Sequence, residues 1–198
     1  LAVIDLEGDG YDYFEWYDGS LEPGLEVFAA GFPLGDPEYT LTDGIVAKAQ
    51  ADGDSVWASL SYAVEHSANI QPGNSGGPLL TKDGKIAAVN FAGGSATNTE
   101  QFFAIPAALA QEIVNVLKTG VDQDSIGING EALWNEEEQI GGLWVSGVRA
   151  GSPAANAGVV AGDIVTQLQG REVVGQYDNA SKKGYCDVLR TVGSDKPM

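Results

Sequence analysis

The feature that most restricts the fold is a series of short apolar runs, each cut off by Gly, Pro or Asp. They are Leu1–Leu6, Leu25–Ala30, Gly44–Ala49, Ser55–Val64, Pro78–Leu80, Lys85–Phe91 and Phe102–Ile105. Most are too short for helices, and with turn residues between them they predict the strands of a β-sandwich or barrel. Lys82-Asp83-Gly84-Lys85 predicts a hairpin turn, with Asp-Gly supplying the positive φ angles. At Pro106 the period changes. Leu109, Ile113, Val116 and Leu117 recur at helical spacing, predicting a closing helix over 106–118 that Gly120 stops. Its apolar stripe is a packing face.

Beyond Gly120 the pattern predicts a second, smaller unit, so the chain divides into 1–120 and 121–198. Asp122–Glu138, with Glu136-Glu137-Glu138, reads as an exposed loop, and Ile140–Arg149 as a Gly-rich strand. Ser152-Pro153 is an N-cap and first-turn pair for a short helix through Ala157 that Gly158 ends. Ala161-Gly162-Asp163 turns into a strand over Ile164–Leu168. Tyr185–Val192 reads as a helix with Tyr185, Val188, Leu189 and Val192 on one face.

The chain has 198 residues, 28 acidic and 10 basic side chains and a formal charge of −18. That balance excludes nucleic acid as partner and disfavours anionic membranes, because phosphate binding needs basic groups to release counterions. Cys186, the sole Cys, forms no internal disulfide, and zinc-ligand spacing is absent. The carboxylates between Glu7 and Asp18 are interspersed with Gly as in a calcium loop, but lack the closing Glu. They read as a solvated loop, so neither metal nor cofactor is expected. No apolar run reaches the roughly 18 residues of a membrane span. Because the chain opens at Leu1 without Met or a signal-like segment, it reads as an excised piece.

Gln71-Pro72-Gly73-Asn74-Ser75-Gly76-Gly77-Pro78-Leu79 carries the chemistry. A Ser between glycines can sit on a sharp turn that an incoming carbonyl approaches closely. Such a turn can aim the amides of Gly73 and Ser75 at one point, as an oxyanion hole does in acyl transfer. Taken alone, the string is also compatible with an ordinary Gly-rich turn.

The longer string resembles the nucleophile loop of trypsin-like serine proteases of the HtrA (DegP) branch, where GNSGGPL stands. Ala29-Ala30-Gly31-Phe32-Pro33-Leu34-Gly35, Thr42-Asp43-Gly44-Ile45-Val46, Ala87–Phe91 and Phe103-Ala104-Ile105-Pro106 resemble further segments of that branch in order and spacing. The resemblance implies the second six-stranded barrel of the protease fold, with Ser75 as acyl-enzyme nucleophile. The backbone of Gly73, Asn74 and Ser75 would form the oxyanion hole. It also implies a substrate pocket lined by Ile70, Asn90, Phe91, Ala92 and Ile105. Asn69 stands where a trypsin carries a carboxylate, so cleavage after small or medium apolar residues of unfolded polypeptides is expected.

Gly151-Ser152-Pro153-Ala154-Ala155-Asn156-Ala157-Gly158 followed by Gly162-Asp163-Ile164 resembles the signature of the PDZ domains attached to these proteases. This implies an α+β PDZ domain that takes C-terminal peptides by strand addition. Its carboxylate loop would be Ser125-Ile126-Gly127-Ile128, with Tyr185 and Leu189 on the opposite wall. The domain is expected to be truncated at its C-terminus.

The family's triad order is His, Asp, Ser. His66, the one His, lies nine residues before Ser75 on an expected strand and reads as a surface or satisfied strand histidine rather than the base. Leu1-Ala2-Val3-Ile4 resembles the strand directly after the family's catalytic Asp. The triad His and Asp are therefore expected upstream, and the chain alone is expected to be inactive. The resemblance implies a quality-control serine endopeptidase in a trimer-based homo-oligomer, periplasmic, extracellular or anchored facing outside. A competing reading is a non-catalytic PDZ scaffold with a degenerate barrel. A cysteine or metal hydrolase is disfavoured by the position of Cys186 and the absence of a His cluster.

Overall fold

The apolar runs become the staves of one barrel because each strand is short, alternates its side chains and ends at a residue suited to a turn. The structure, a computed structural model, describes residues 1–53, 60–93, 101–121, 125–173, 184–186 and 188–189. The chain falls into two compact units, Leu1–Asp52 with Tyr62–Gln123, and Gly53–Ser61 with Asp124–Met198.

In the first unit β1 (Glu26–Gly31), β2 (Thr40–Ala51), β3 (Ala63–His66), β4 (Pro78–Thr81), β5 (Ile86–Gly93) and β6 (Phe102–Pro106) form a closed barrel in the order β1-β2-β3-β6-β5-β4. This is the expected six-stranded architecture. Its interior holds Val27, Val46, Val64, Ile70, Leu79 and Phe102 among many alanines. Full burial of a Val, Leu or Phe side chain contributes roughly 1.5–3 kcal/mol, and small neighbours let the strands close around these few large ones. α1 (Ala107–Leu117) follows with Pro106 at its N-cap, and Gly120 at φ 78° donates its N–H to the Leu117 carbonyl.

Two expectations change here. Leu1–Leu6 forms no strand; Ile4 is 81% exposed, and ordered pairing begins only where Trp16 bridges to Ile86. In the Lys82–Lys85 turn only Gly84 has positive φ, because the Thr81 hydroxyl, bonded to the Asp83 carboxylate at 2.6 Å, organises the rest of the turn. The expected run Ser55–Val64 lies partly outside the described residues, and its end enters β3.

In the second unit β7 (Ile128–Asn135), β8 (Ile140–Val148) and β9 (Ile164–Val165) form a sheet in the order β7-β8-β9. β7 corrects the expected loop over Asp122–Glu138: its inward positions Ile128, Gly130, Ala132 and Trp134 alternate with polar or exposed ones, which suffices once β8 pairs along its whole length. α2 (Pro153–Asn156) is capped as expected, the Ser152 hydroxyl accepting from the Ala155 N–H at 3.2 Å. The expected strand Ile164–Leu168 is broken, its second half forming a hairpin of β10 (Gln167–Leu168) with β11 (Arg171–Glu172). Residues 184–186 and 188–189 are helical, and the rest of the expected helix lies outside the described residues.

Candidate functional site

The nucleophile loop leaves the barrel beside the end of β1. β1 runs next to β4 through Ala29↔Leu79, so the turn after Gly31 and the loop before Pro78 emerge together. They are bonded: the Leu34 N–H donates to the Pro72 carbonyl at 2.6 Å. Gly73 packs so closely on this turn that a β-carbon there would lie 2.9 Å from the Phe32 carbonyl oxygen. Leu34 holds φ 59°, ψ 17°, a left-handed conformation unusual for Leu, and its side chain is 72% exposed. The strained residue thus serves the loop through its backbone.

Within the loop every anchored carbonyl fixes the amide on the other side of its peptide plane. The Pro72 carbonyl points to Leu34, so the Gly73 N–H points away from it. The Asn74 carbonyl accepts from the Gly77 N–H at 2.9 Å, which turns the Ser75 N–H the opposite way. Among the described residues neither the Gly73 nor the Ser75 N–H has an acceptor. Gly73 takes φ 108° and Gly76 φ 87°, conformations only Gly adopts without strain. The Gly76 N–H and the Asn90 N–H stitch the loop to β5, donating to the Asn90 carbonyl at 2.8 Å and the Gly77 carbonyl at 2.9 Å. Ser75 is exposed, its hydroxyl 3.4 Å from the Phe91 carbonyl.

Asn74 is buried, and its Oδ1 lies against Gly31, where any β-carbon would collide with it. That Oδ1 has no hydrogen-bond partner among the described residues. The Asn74 backbone N–H donates to the Gln71 carbonyl at 3.0 Å, which corrects the expectation of Asn74 as an oxyanion-hole donor. Of the expected pocket residues, Ile70 and Asn90 are buried, while Phe91, Ala92 and Ile105 are half-buried on the paired strands β5 and β6. The Asn90 side chain donates to the Pro78 carbonyl at 3.1 Å.

His66 corrects the expectation of a surface or satisfied histidine. It sits on β3 with 1% exposure, 6.0 Å from the Phe102 ring, and among the described residues both ring nitrogens lack a hydrogen-bond partner. Burial pushes it down to about 4; the Ala68 backbone and the Asn90 side chain oppose that shift from nearby without reaching hydrogen-bond geometry. A neutral, sequestered imidazole with no bond to Ser75 is not placed as its base. The acidic segment near the N-terminus is exposed, and among the described residues no three His, Cys, Asp or Glu gather as a metal site.

In the second unit Ile126 and Tyr185 share one core, with Ile128 and Leu189 packed against it. Burial pushes the Tyr185 phenol well above its ordinary range. Ser125 is exposed, and Gly127, at φ 83°, packs against Ser152 where a β-carbon would collide.

Residues 1–89 match a trypsin-like peptidase domain and residues 144–193 a PDZ domain. A probable periplasmic serine endoprotease DegP-like from Marinomonas sp. is 34% identical over 193 residues, covering 87% of this chain and 39% of the relative. The serine protease Do-like HtrA of Bacillus subtilis is 32% identical over 197 residues, covering 87% and 43%. These relatives are HtrA-type serine proteases, and the chain carries the trypsin-like peptidase and PDZ domains. A solved structure of the HtrA-type protease AlgW with decapeptide superposes with a TM-score of 0.50 at 27% identity, covering 93% of this chain and 57% of that one. The chain spans roughly two fifths of the length of the curated HtrA relatives given above. The residue of this loop region that sequence reasoning did not single out is Leu34, since nothing about a Leu in sequence signals a left-handed backbone.

Proposed function

We propose that the protein is a serine endopeptidase that cleaves unfolded polypeptides through an acyl-enzyme on Ser75, with a PDZ unit that binds peptide C-termini. The observation that carries this is the pair of vacant amides, Gly73 N–H and Ser75 N–H, each oriented by a tied carbonyl beside an exposed Ser75 hydroxyl. In the reaction Ser75 Oγ would attack the scissile carbonyl, and these donors would take the oxygen as its charge grows. Preset dipoles stabilise such an oxyanion because they need no reorganisation during the reaction. Asn74 would hold the loop between them from its seat over Gly31. A base that accepts the Ser75 proton completes the mechanism.

Ile70, Asn90, Phe91, Ala92 and Ile105 would form the side-chain pocket, apolar apart from Asn90, whose amide is engaged with Pro78. This supports cleavage after small or medium apolar residues. The name of the Marinomonas relative supports a periplasmic site of action, and AlgW with its decapeptide supports peptide binding.

The test is labelling of the full-length protein with a fluorophosphonate, followed by peptide mapping, and digestion of a reduced, carboxymethylated substrate protein. The adduct is expected on Ser75, with digestion lost in Ser75→Ala. Labelling elsewhere, or digestion that survives the substitution, would overturn the proposal.

A further inference from the structure

The loop Ser125–Ile128 is built so that its carbonyls face the body of the unit. The Ile126 carbonyl accepts from the Ala154 N–H at 3.0 Å, so the Gly127 N–H, on the far side of the same peptide, points away from α2. The Gly127 carbonyl accepts from the Arg149 N–H at 2.8 Å. That bond flanks the Ile128↔Val148 pair and makes it a non-hydrogen-bonded pair, so the Ile128 N–H is directed away from β8. Among the described strands β7 has no neighbour on that side. Two consecutive donors are therefore turned outward, an arrangement suited to an anion.

One of the two is occupied. The hydroxyl oxygen of Ser125 accepts from the Gly127 N–H at 3.0 Å, and Ser125 itself is exposed. We propose that this hydroxyl is a built-in stand-in for a ligand carboxylate oxygen, filling the loop when no peptide is bound and competing with the peptide's terminal carboxylate. Ser125 is thereby a residue that sets how strongly the unit discriminates a free C-terminus from a blocked one. The inference rests on the reading of this loop as the carboxylate-binding element. A terminal carboxylate must displace the hydroxyl before it can take both donors. The released hydroxyl returns to water, so the penalty is that of a single neutral hydrogen bond.

Removing the competitor should tighten carboxylate binding by about three- to tenfold. A carboxylate tethered at the same position should fill the loop permanently and weaken binding by at least as much. The experiment uses the full chain and a random hexapeptide pool, prepared both as free acids and as C-terminal amides, with bound peptide quantified for wild type, Ser125→Ala, Ser125→Thr and Ser125→Asp.

The expected result is that Ser125→Ala retains more free-acid peptide and unchanged amide. Ser125→Thr, which keeps the hydroxyl, should match wild type, and Ser125→Asp should lose the free-acid preference. Free-acid preference that persists in wild type but stays equal or falls in Ser125→Ala would overturn the role of Ser125 alone. Absence of any free-acid preference in wild type, Ser125→Ala and Ser125→Thr would overturn the carboxylate-loop reading and this proposal with it. The Gly127 amide proton resonance gives a ligand-free check: it should move upfield in Ser125→Ala and stay in place in Ser125→Thr.

Discussion

The loops at Gly73–Ser75 and Ser125–Ile128 solve related problems with the same backbone device and leave it in opposite states. In both, carbonyls are tied down, Pro72 to Leu34 on the neighbouring turn and Asn74 to Gly77 within the loop in one, Ile126 to Ala154 and Gly127 to Arg149 in the other. In both, the opposing amides turn outward. The difference is occupancy: among the described residues the first pair has no acceptor, while one donor of the second is filled by a serine hydroxyl from its own loop. A site for a charge that exists only during reaction gains from being empty, since any resident acceptor would have to leave during the barrier crossing. A site for a stable carboxylate can tolerate a weak resident, whose effect is to raise the threshold for binding.

The largest test of this contrast is Ser75→Ala in the full-length protein, expected to lower proteolysis by on the order of 10^4-fold or more, read as turnover of an unfolded substrate. Folding should be unchanged, because the Ser75 side chain makes one long contact to Phe91.

Next comes Leu34→Pro. It deletes the N–H that holds Pro72 and cannot adopt φ 59°. Fluorophosphonate labelling of Ser75 is expected to fall about 10²-fold, the scale of one lost oxyanion donor. Leu34→Gly keeps the N–H and takes positive φ without a β-carbon, so it should keep most of the labelling. Equal labelling in both variants would separate the turn from the amides.

A third effect belongs to the barrel that carries the loop. With His66 held at about 4 when folded against 6.5 as its ordinary value, the unfolded chain binds a proton that the folded chain refuses between those limits. Stability should therefore be full above about pH 6.5 and fall as pH drops towards 4. The loss is on the order of 3 kcal/mol. Denaturant midpoints across that window measure it, and His66→Leu should flatten this part of the curve.

The smallest expected effect is in the second loop. Gly127→Ala places a side chain at φ 83° against Ser152. This should cost roughly 1–2 kcal/mol from the left-handed backbone alone, with more from the collision. Peptide retention should be lost while labelling of Ser75 is kept.

The barrel was legible because its strands carry their own punctuation: Gly-Asn-Ser-Gly-Gly before β4, Asp-Gly between β4 and β5, and Pro106 at the end of β6. Ser152 and Pro153 likewise announced α2 from local chemistry. Errors arose where pairing decides. Leu1–Leu6 has the composition of a strand but pairs with no strand among the described residues, whereas β7 looked like an acidic loop until β8 paired along it. At the candidate sites, residue type drew attention to Ser75 and the glycines around it. Sequence could not reveal the left-handed Leu34, the unpartnered His66 or the hydroxyl of Ser125 on Gly127, because these are relations between atoms rather than patterns of side chains.

The seat of Gly127 against Ser152 has a practical consequence for engineering. The short helix, its cap and the loop Ser125–Ile128 form one mechanical part, joined through Ala154 to Ile126 and through Arg149 to Gly127. Anyone transplanting this loop into another scaffold would have to move Arg149–Ala154 along with it. A graft of four residues alone would carry the letters and leave behind the brace that gives them their shape.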